Sequence, residues 1–378
     1  MECPRCHNQD PKFLYQVHGQ YYCRKCIAFH KVSLNKERIT KHIKYIASSP
    51  TQYKINFPLS KHQKNIASQL VECYKHHENA YVWAVCGSGK TEIVFEVIQY
   101  ALNQGHRVCF CLPRKELVKE LYLRIQDAFP MTIGIAYGGV SQNLDAQFIV
   151  CTMHQLYRFE NDIGFDLMIA DEIDAFPFYG NEVLNELFQR CCLGSFIKMS
   201  ATIEDADIQN GKVFIMNRRY HGYDLPIPKL LLCPYFIQKW VLLYLINSLH
   251  SRIIIYVPTT IEVSKLTSFL KTHHINCEGV CSHFQDNQEK IVALITSKIN
   301  VLVSTTLLER GITIENVQVI VYGGNHQVFN WKTLIQIAGR VGRKPNFPTG
   351  HIYILSSEQT YHIRKCINTI KKLNTMRV

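Results

Sequence analysis

At 378 residues, 47% hydrophobic and 19% charged, the chain is too long for one ordinary core and too apolar to be disordered. It has no uncharged apolar run of about 18 residues, so no membrane-spanning helix is expected. Its net charge of +12 favours a polyanionic partner, nucleic acid or an acidic membrane surface, and half of that excess lies in residues 1–50, with nine Lys/Arg against three Asp/Glu.

The N-terminus carries no basic segment followed by an apolar stretch, so a secretory signal is not expected. Fifteen cysteines in such a chain indicate a reducing compartment, where thiols stay free or bind metal. In chain order, residues 1–33 hold two Cys-x2-Cys knuckles: Cys3 with Cys6, and Cys23 with Cys26. Four thiolates at this spacing close a tetrahedral zinc site, and a unit too short to bury a core needs such a staple. The alternative is a redox pair in each knuckle. His7 is read as a surface residue. The same stretch is basic and aromatic, with Arg5, Lys12, Tyr15, Tyr21, Tyr22, Arg24 and Lys25. Cations on phosphates and rings under bases hold single strands without sequence preference, though the tyrosines can equally fill a tiny core. Cys73, Cys109, Cys111, Cys151, Cys191, Cys192 and Cys277 are read as packing residues.

Residues 34–58 read as a basic connecting helix and linker. From 59 to 222, short apolar runs at 81–85, 108–112, 148–151 and 167–170 alternate with amphipathic stretches, as buried parallel strands separated by helices do. After a proline-containing hinge at Pro226 and Pro228 the alternation resumes at 252–257, 300–304, 317–322 and 350–355. Two successive α/β domains, 59–222 and 223–378, are therefore expected after the small module. No repeat and no low-complexity segment interrupts them.

Ala84-Val85-Cys86-Gly87-Ser88-Gly89-Lys90-Thr91 falls between a strand and a helical stretch at 92–102. Gly87 and Gly89 let backbone N–H groups approach phosphate oxygens at a helix N-terminus, Lys90 reaches the β and γ phosphates of ATP, and Thr91 holds Mg²⁺. Ala84 departs from the full pattern, and a plain glycine turn with a surface lysine is the competing reading. Asp171-Glu172-Ile173-Asp174 ends the apolar run at 167–170, on the ligand edge of a parallel sheet. There Asp171 suits Mg²⁺ and Glu172 suits polarising a water, against the plainer reading of a solvated acidic turn. Gln336-Ile337-Ala338-Gly339-Arg340-Val341-Gly342-Arg343 sets two arginines three residues apart, on one face if helical. They can stabilise a transferring phosphoryl group or form a basic loop on nucleic acid.

Together these motifs resemble superfamily two helicases over about residues 59–345, which implies two tandem RecA-like domains. Leu59-Ser60-Lys61-His62-Gln63 resembles the adenine-reading element, with Gln63 as its reader. Leu112-Pro113-Arg114-Lys115-Glu116-Leu117 and Cys151-Thr152-Met153-His154-Gln155-Leu156 resemble motifs Ia and Ib, and Ser200-Ala201-Thr202 the motif that couples hydrolysis to lobe movement. Tyr256-Val257-Pro258-Thr259 resembles motif IV, and Ser304 to Ile314 motif V. The family implies a single-strand path past Arg114, Thr152, Thr259 and Thr305, nucleotide contact by Gly311, and a catalytic role for Gln336 beside Arg340 and Arg343.

Within the superfamily the chain most resembles the ComFA competence proteins of Gram-positive bacteria. The four-cysteine module, Asp171-Glu172-Ile173-Asp174-Ala175-Phe176-Pro177-Phe178, the Thr305-Thr306-Leu307-Leu308-Glu309-Arg310-Gly311 run and the Gln336 to Arg343 segment carry this. The resemblance implies an ATPase that binds single-stranded DNA and helps draw transforming DNA into the cytoplasm, at the inner face of the membrane with other DNA-uptake proteins. Self-association stays open. Primosomal and recombination helicases share the arginine motif, and a zinc-dependent DNA-binding adaptor with a regulatory ATP site is a further alternative. Thr313 and Gln336-Ile337 depart from the Asp and His-Arg of DEAD-box RNA helicases, which disfavours an RNA role.

Overall fold

A computed structural model describes residues 1–29, 32–34, 41–45, 50–160, 163–204, 208, 210–281, 286–305 and 314–376. The chain divides into two compact units. Met1–Trp83 and Lys90–Ile215 form the first, and Ala84–Gly89 clusters with Met216–Val378 in the second.

The first unit opens with a 3-10 turn at Pro11–Phe13 and an antiparallel hairpin, β1 (Leu14–Val17) and β2 (Gln20–Cys23). Among the described residues of 34–58 none is helical, so the expected connecting helix is absent from them. Then follow α1 (Lys61–Lys75), β3 (Ala80–Ala84), α2 (Phe95–Asn103), β4 (Val108–Leu112), α3 (Lys115–Ala128), β5 (Ile133–Tyr137) and β6 (Val140–Gln142). The unit continues with β7 (Phe148–Thr152), β8 (Phe165–Asp171), α4 (Glu182–Cys191), β9 (Cys192–Ser200) and β10 (Lys212–Met216). The eight strands lie in the order β10-β3-β9-β8-β4-β7-β5-β6. Every residue of β4, β7 and β8 is buried, as expected of parallel strands covered on both faces.

The cysteine module packs into the core of the first unit. Cys3, Cys23 and Cys26 belong to the apolar cluster that contains Met168 of β8, Leu187 and Phe188 of α4, and Leu156.

The second unit contains β11 (Lys229–Leu232), α5 (Tyr235–Leu249), β12 (Arg252–Tyr256), α6 (Thr260–Thr272), β13 (Cys277–Val280) and α7 (Asn287–Ile295). It ends with β14 (Val301–Ser304), β15 (Val317–Tyr322), α8 (Trp331–Ala338), β16 (Ile352–Ser356) and α9 (Tyr361–Thr375). Its six strands run β11-β16-β15-β12-β14-β13, and all five pairings are parallel. Each of the eight apolar runs read as a strand is one, and the expected pair of α/β sheets is present, the first parallel in its centre with β6 antiparallel to β5 at one edge.

Candidate nucleotide and nucleic-acid site

The turn after β3 takes Gly87 to φ +82° and Gly89 to φ +74°, the left-handed region where glycine carries no Cβ penalty. Ser88 and Thr91 are buried. In the first unit Lys90 Nζ lies 2.6 Å from Oδ1 of Asp171, the last residue of β8. The same oxygen accepts from the Glu172 backbone N–H at 2.7 Å. Burial pushes the Asp171 carboxyl above its ordinary range and Glu172 adds to this, while Lys90 acts against it. Glu172 itself sits at φ +57°, a costly conformation for a long side chain and one that clusters at functional sites. Two residues on, buried Asp174 accepts through Oδ2 from Thr202 Oγ1 at 2.6 Å, which ties the acidic turn to the Ser200-Ala201-Thr202 segment. Of the aromatic extension, Phe178 packs edge-on against Phe188, whereas Phe176 is 81% exposed.

Gln63 is buried at the start of α1, where it closes a capping box: its N–H donates to Ser60 Oγ at 3.2 Å and its Oε1 accepts from Ser60 N–H at 2.8 Å. A cavity of about 540 Å³ adjoins this cap, between Tyr53, residues 55–59, Lys64 and Ser68 of α1, and Glu96 of α2.

In the second unit α8 stops at Ala338, with Gly339 as its C-cap and Gly342 at φ +73°. The two arginines are therefore on a turn and not on a helical face, because Gly342 occupies a conformation no helix contains. Arg340 is 3% exposed, and Arg343 Nε donates to the Gly339 carbonyl at 3.0 Å. Gln336 accepts from Cys86 Sγ at 3.2 Å, which brings the phosphate-loop segment of this unit to α8. Arg219 escaped the sequence reading. Its guanidinium donates to the Gly342 carbonyl and, at 3.5 Å, to that of Gly339, and its stem passes Gly87. Burial pushes its pKa down to about 10, and Arg343 pushes the same way against Cys86. The only sequence signal was a pair of arginines before the proline hinge.

The four proposed nucleic-acid residues all lie at or just after C-terminal ends of parallel strands, the edge where such sheets bind ligands. Arg114 precedes α3 and is half-buried, and Thr152 closes β7. In the other unit Thr259 caps α6 by accepting from Glu262 N–H at 3.2 Å, and Thr305 follows β14. Gly311 lies outside the described residues.

Cys3, Cys6, Cys23 and Cys26 offer four sulfur atoms within 4.8 Å of one another. The Cys3–Cys26 and Cys6–Cys23 separations are 3.8 and 3.6 Å. A tetrahedron of sulfurs with metal–sulfur bonds near 2.3 Å has edges of about 3.8 Å, so the set fits zinc. On the module's surface Arg24 lies over Tyr15 at 4.8 Å and Lys25 over Phe13 at 5.0 Å. Arg5 does not share that surface: it is buried, paired with Glu160. Cys109, Cys111 and Cys151 form a second sulfur cluster inside the sheet. Burial holds the Cys109 and Cys111 thiols well above their usual range, so they stay protonated.

A phosphate loop and an acidic strand end on one mainly parallel sheet, with a Gly-Arg-x-Gly-Arg turn on a second, define a helicase-type ATPase of superfamily two. The type III restriction enzyme res subunit model matches residues 56–205, and the helicase conserved C-terminal domain matches residues 238–345. Competence protein ComFA of Streptococcus pneumoniae is 30% identical over 98% of this chain and 90% of its own length, and the chain belongs to the ComFA family. ComFA of Bacillus subtilis is 29% identical over 99% of this chain and 86% of its own. Among solved structures, S. cerevisiae Dbp5 bound to RNA and ADP BeF3 superimposes with a TM-score of 0.59 at 18% identity, covering 84% of this chain and 92% of that one. That likeness concerns the fold. No helix among the described residues is long and apolar enough to cross a membrane.

Proposed function

We propose that the chain is an ATP-driven single-stranded DNA translocase that helps import transforming DNA. The observation that carries the reading is the Lys90–Asp171 ion pair beside Glu172, in a chain of the ComFA family. In this reading Lys90 leaves Asp171 for the β and γ phosphates when ATP arrives, and Gly87, Ser88 and Gly89 present backbone N–H groups to the same phosphates. Bound Mg²⁺ would be held by Thr91 and Asp171 and would neutralise charge on the phosphates. Glu172 orients and polarises the attacking water, while Arg340 and Arg343, with Gln336, stabilise the transferring phosphoryl group. Gln63 reads adenine from the cap of α1. Gly311 belongs to the same nucleotide set by resemblance.

DNA is assigned to Arg114, Thr152, Thr259 and Thr305, with polar and cationic groups following the phosphates. Zinc, held by Cys3, Cys6, Cys23 and Cys26, supplies the fold of the module. Family membership further supports work beside other DNA-uptake proteins at the inner face of the cell membrane, with residues 1–33, 34–58, 59–222 and 223–378 as module, linker and two motor domains. The test is steady-state ATP hydrolysis with no nucleic acid, single-stranded DNA, duplex DNA or RNA, beside Glu172→Gln. Strong stimulation by single-stranded DNA that vanishes in the variant supports the reading; equal stimulation by RNA, or none by DNA, defeats it.

A further inference from the structure

Arg5 stands between the two cysteines of the first knuckle and is 2% exposed. Its Nε donates to both carboxylate oxygens of Glu160, at 3.0 and 2.9 Å, and Nη2 donates to Oε1 as well. Nη1 donates to the carbonyl of Cys26 at 3.3 Å, so one guanidinium touches both knuckles and the first unit's core. Arg190 of α4 adds a second tie by donating to the Pro4 carbonyl at 2.7 Å. Glu160, 0% exposed, lies two residues beyond the short 3-10 stretch Met153–Arg158, which begins directly after Thr152.

The physical asymmetry of this pair matters. A buried fork on a carboxylate adds little net stability, but moving one partner leaves the other as an uncompensated buried charge. Arg5 holds its place only while Cys3 and Cys6 hold theirs, and a 33-residue stretch cannot fix that loop unaided. The state of the four sulfurs is thereby connected, through one side chain, to the segment that follows Thr152.

We propose that Arg5 is a positioning residue: its clamp on Glu160 makes the conformation of Met153–Arg158, and with it the grip on single-stranded DNA at Thr152, depend on whether the four-cysteine module holds its metal. The DNA half of this statement rests on the function proposed above. When the knuckle opens, Arg5 departs, Glu160 is left buried without its cation, and the turn rearranges to bring it water.

The test uses full-length, zinc-loaded protein, wild type and Arg5→Met, each compared before and after chelation by hydrogen–deuterium exchange. Zinc content is measured alongside. Arg5→Met with full zinc is expected to show the faster exchange across 153–160 that stripped wild type shows. Chelating the variant adds nothing further there, and α9 stays unchanged in every sample. The single-stranded DNA concentration for half-maximal ATPase stimulation rises about tenfold, within the range for residues that couple sites without touching either ligand. Turnover without DNA holds, and Arg5→Lys, which keeps the charge but loses the fork, recovers part of the affinity. Wild-type exchange at 153–160 in zinc-replete Arg5→Met overturns the proposal, as do effects of chelation and substitution that add. Should Arg5→Met fail to fold, Arg5→Lys goes through the same comparison. Absence of DNA stimulation in the wild type defeats the functional reading instead, and the exchange comparison still decides the clamp.

Discussion

Thr202→Val removes one hydroxyl at nearly constant shape from a position that is 0% exposed. The lost bond is the 2.6 Å donation from Thr202 Oγ1 to Asp174, a residue itself only 8% exposed. A hydrogen bond to a buried charged group is worth about 1.5–3 kcal/mol, and the partner left behind bears the desolvation. The expected loss is therefore about 2 kcal/mol in the first unit. In a unit of this size each kcal/mol lowers the melting temperature by about 2–4 °C, so calorimetry should record a fall of about 4–8 °C. Asp174→Asn and the double variant complete the cycle; because the two groups act on each other, the double variant should lose less than the singles combined. If the bond also couples the acidic turn to movement, DNA-free ATPase survives in Thr202→Val while stimulation by DNA falls. A valine variant that melts within about 1 °C of wild type, or singles that simply add, refutes the reasoning.

Lys90→Ala and Glu172→Gln should both abolish DNA-stimulated phosphate release, yet only Lys90→Ala should also weaken binding of a fluorescent ATP analogue. Chelation at neutral pH should make Cys3, Cys6, Cys23 and Cys26 reactive to a thiol reagent while Cys109, Cys111 and Cys151 stay silent, as mass spectrometry of labelled peptides would show. Burial lowers the His154 pKa below the ordinary histidine value. Its neutral form is favoured by folding, so its contribution is present above the unfolded pKa of about 6.5 and is lost as pH falls through the window down to the lowered folded pKa. His106, lowered chiefly by burial, contributes with the same sign. The measurement is therefore the difference between wild type and His154→Asn: stability of the first unit should fall more steeply from pH 7 to 5.5 in the wild type.

The motor's strands were legible because parallel strands covered on both faces must be continuous apolar runs, as in Phe148–Thr152 and Val317–Tyr322. The residues proposed for the nucleotide could be named from sequence because phosphate chemistry restricts both residue type and spacing around Gly87, Lys90 and Asp171. What escaped depends on long-range geometry. Arg5 and Glu160 are 155 residues apart, and no local pattern distinguishes a buried arginine from a surface one in a basic stretch. Arg219 escaped for the same reason, since two adjacent arginines do not by themselves mark burial. The helix expected within 34–58, absent from the described residues there, rested on lysine content, which reports solvation and not periodicity. For Arg340 and Arg343 the glycines at 339 and 342 were the available signal that the helix had ended.

Glu172 occupies a backbone conformation, φ +57°, that suits glycine or asparagine better than glutamate. Replacing it by glycine should relieve roughly 1 kcal/mol of strain while removing the carboxylate assigned to water. Any selection for heat resistance that does not also monitor turnover would therefore drift toward Glu172→Gly and deliver a sturdier, inert protein. Design for durability has to hold this position fixed and seek its gains elsewhere, because here the fold and the chemistry ask for different residues.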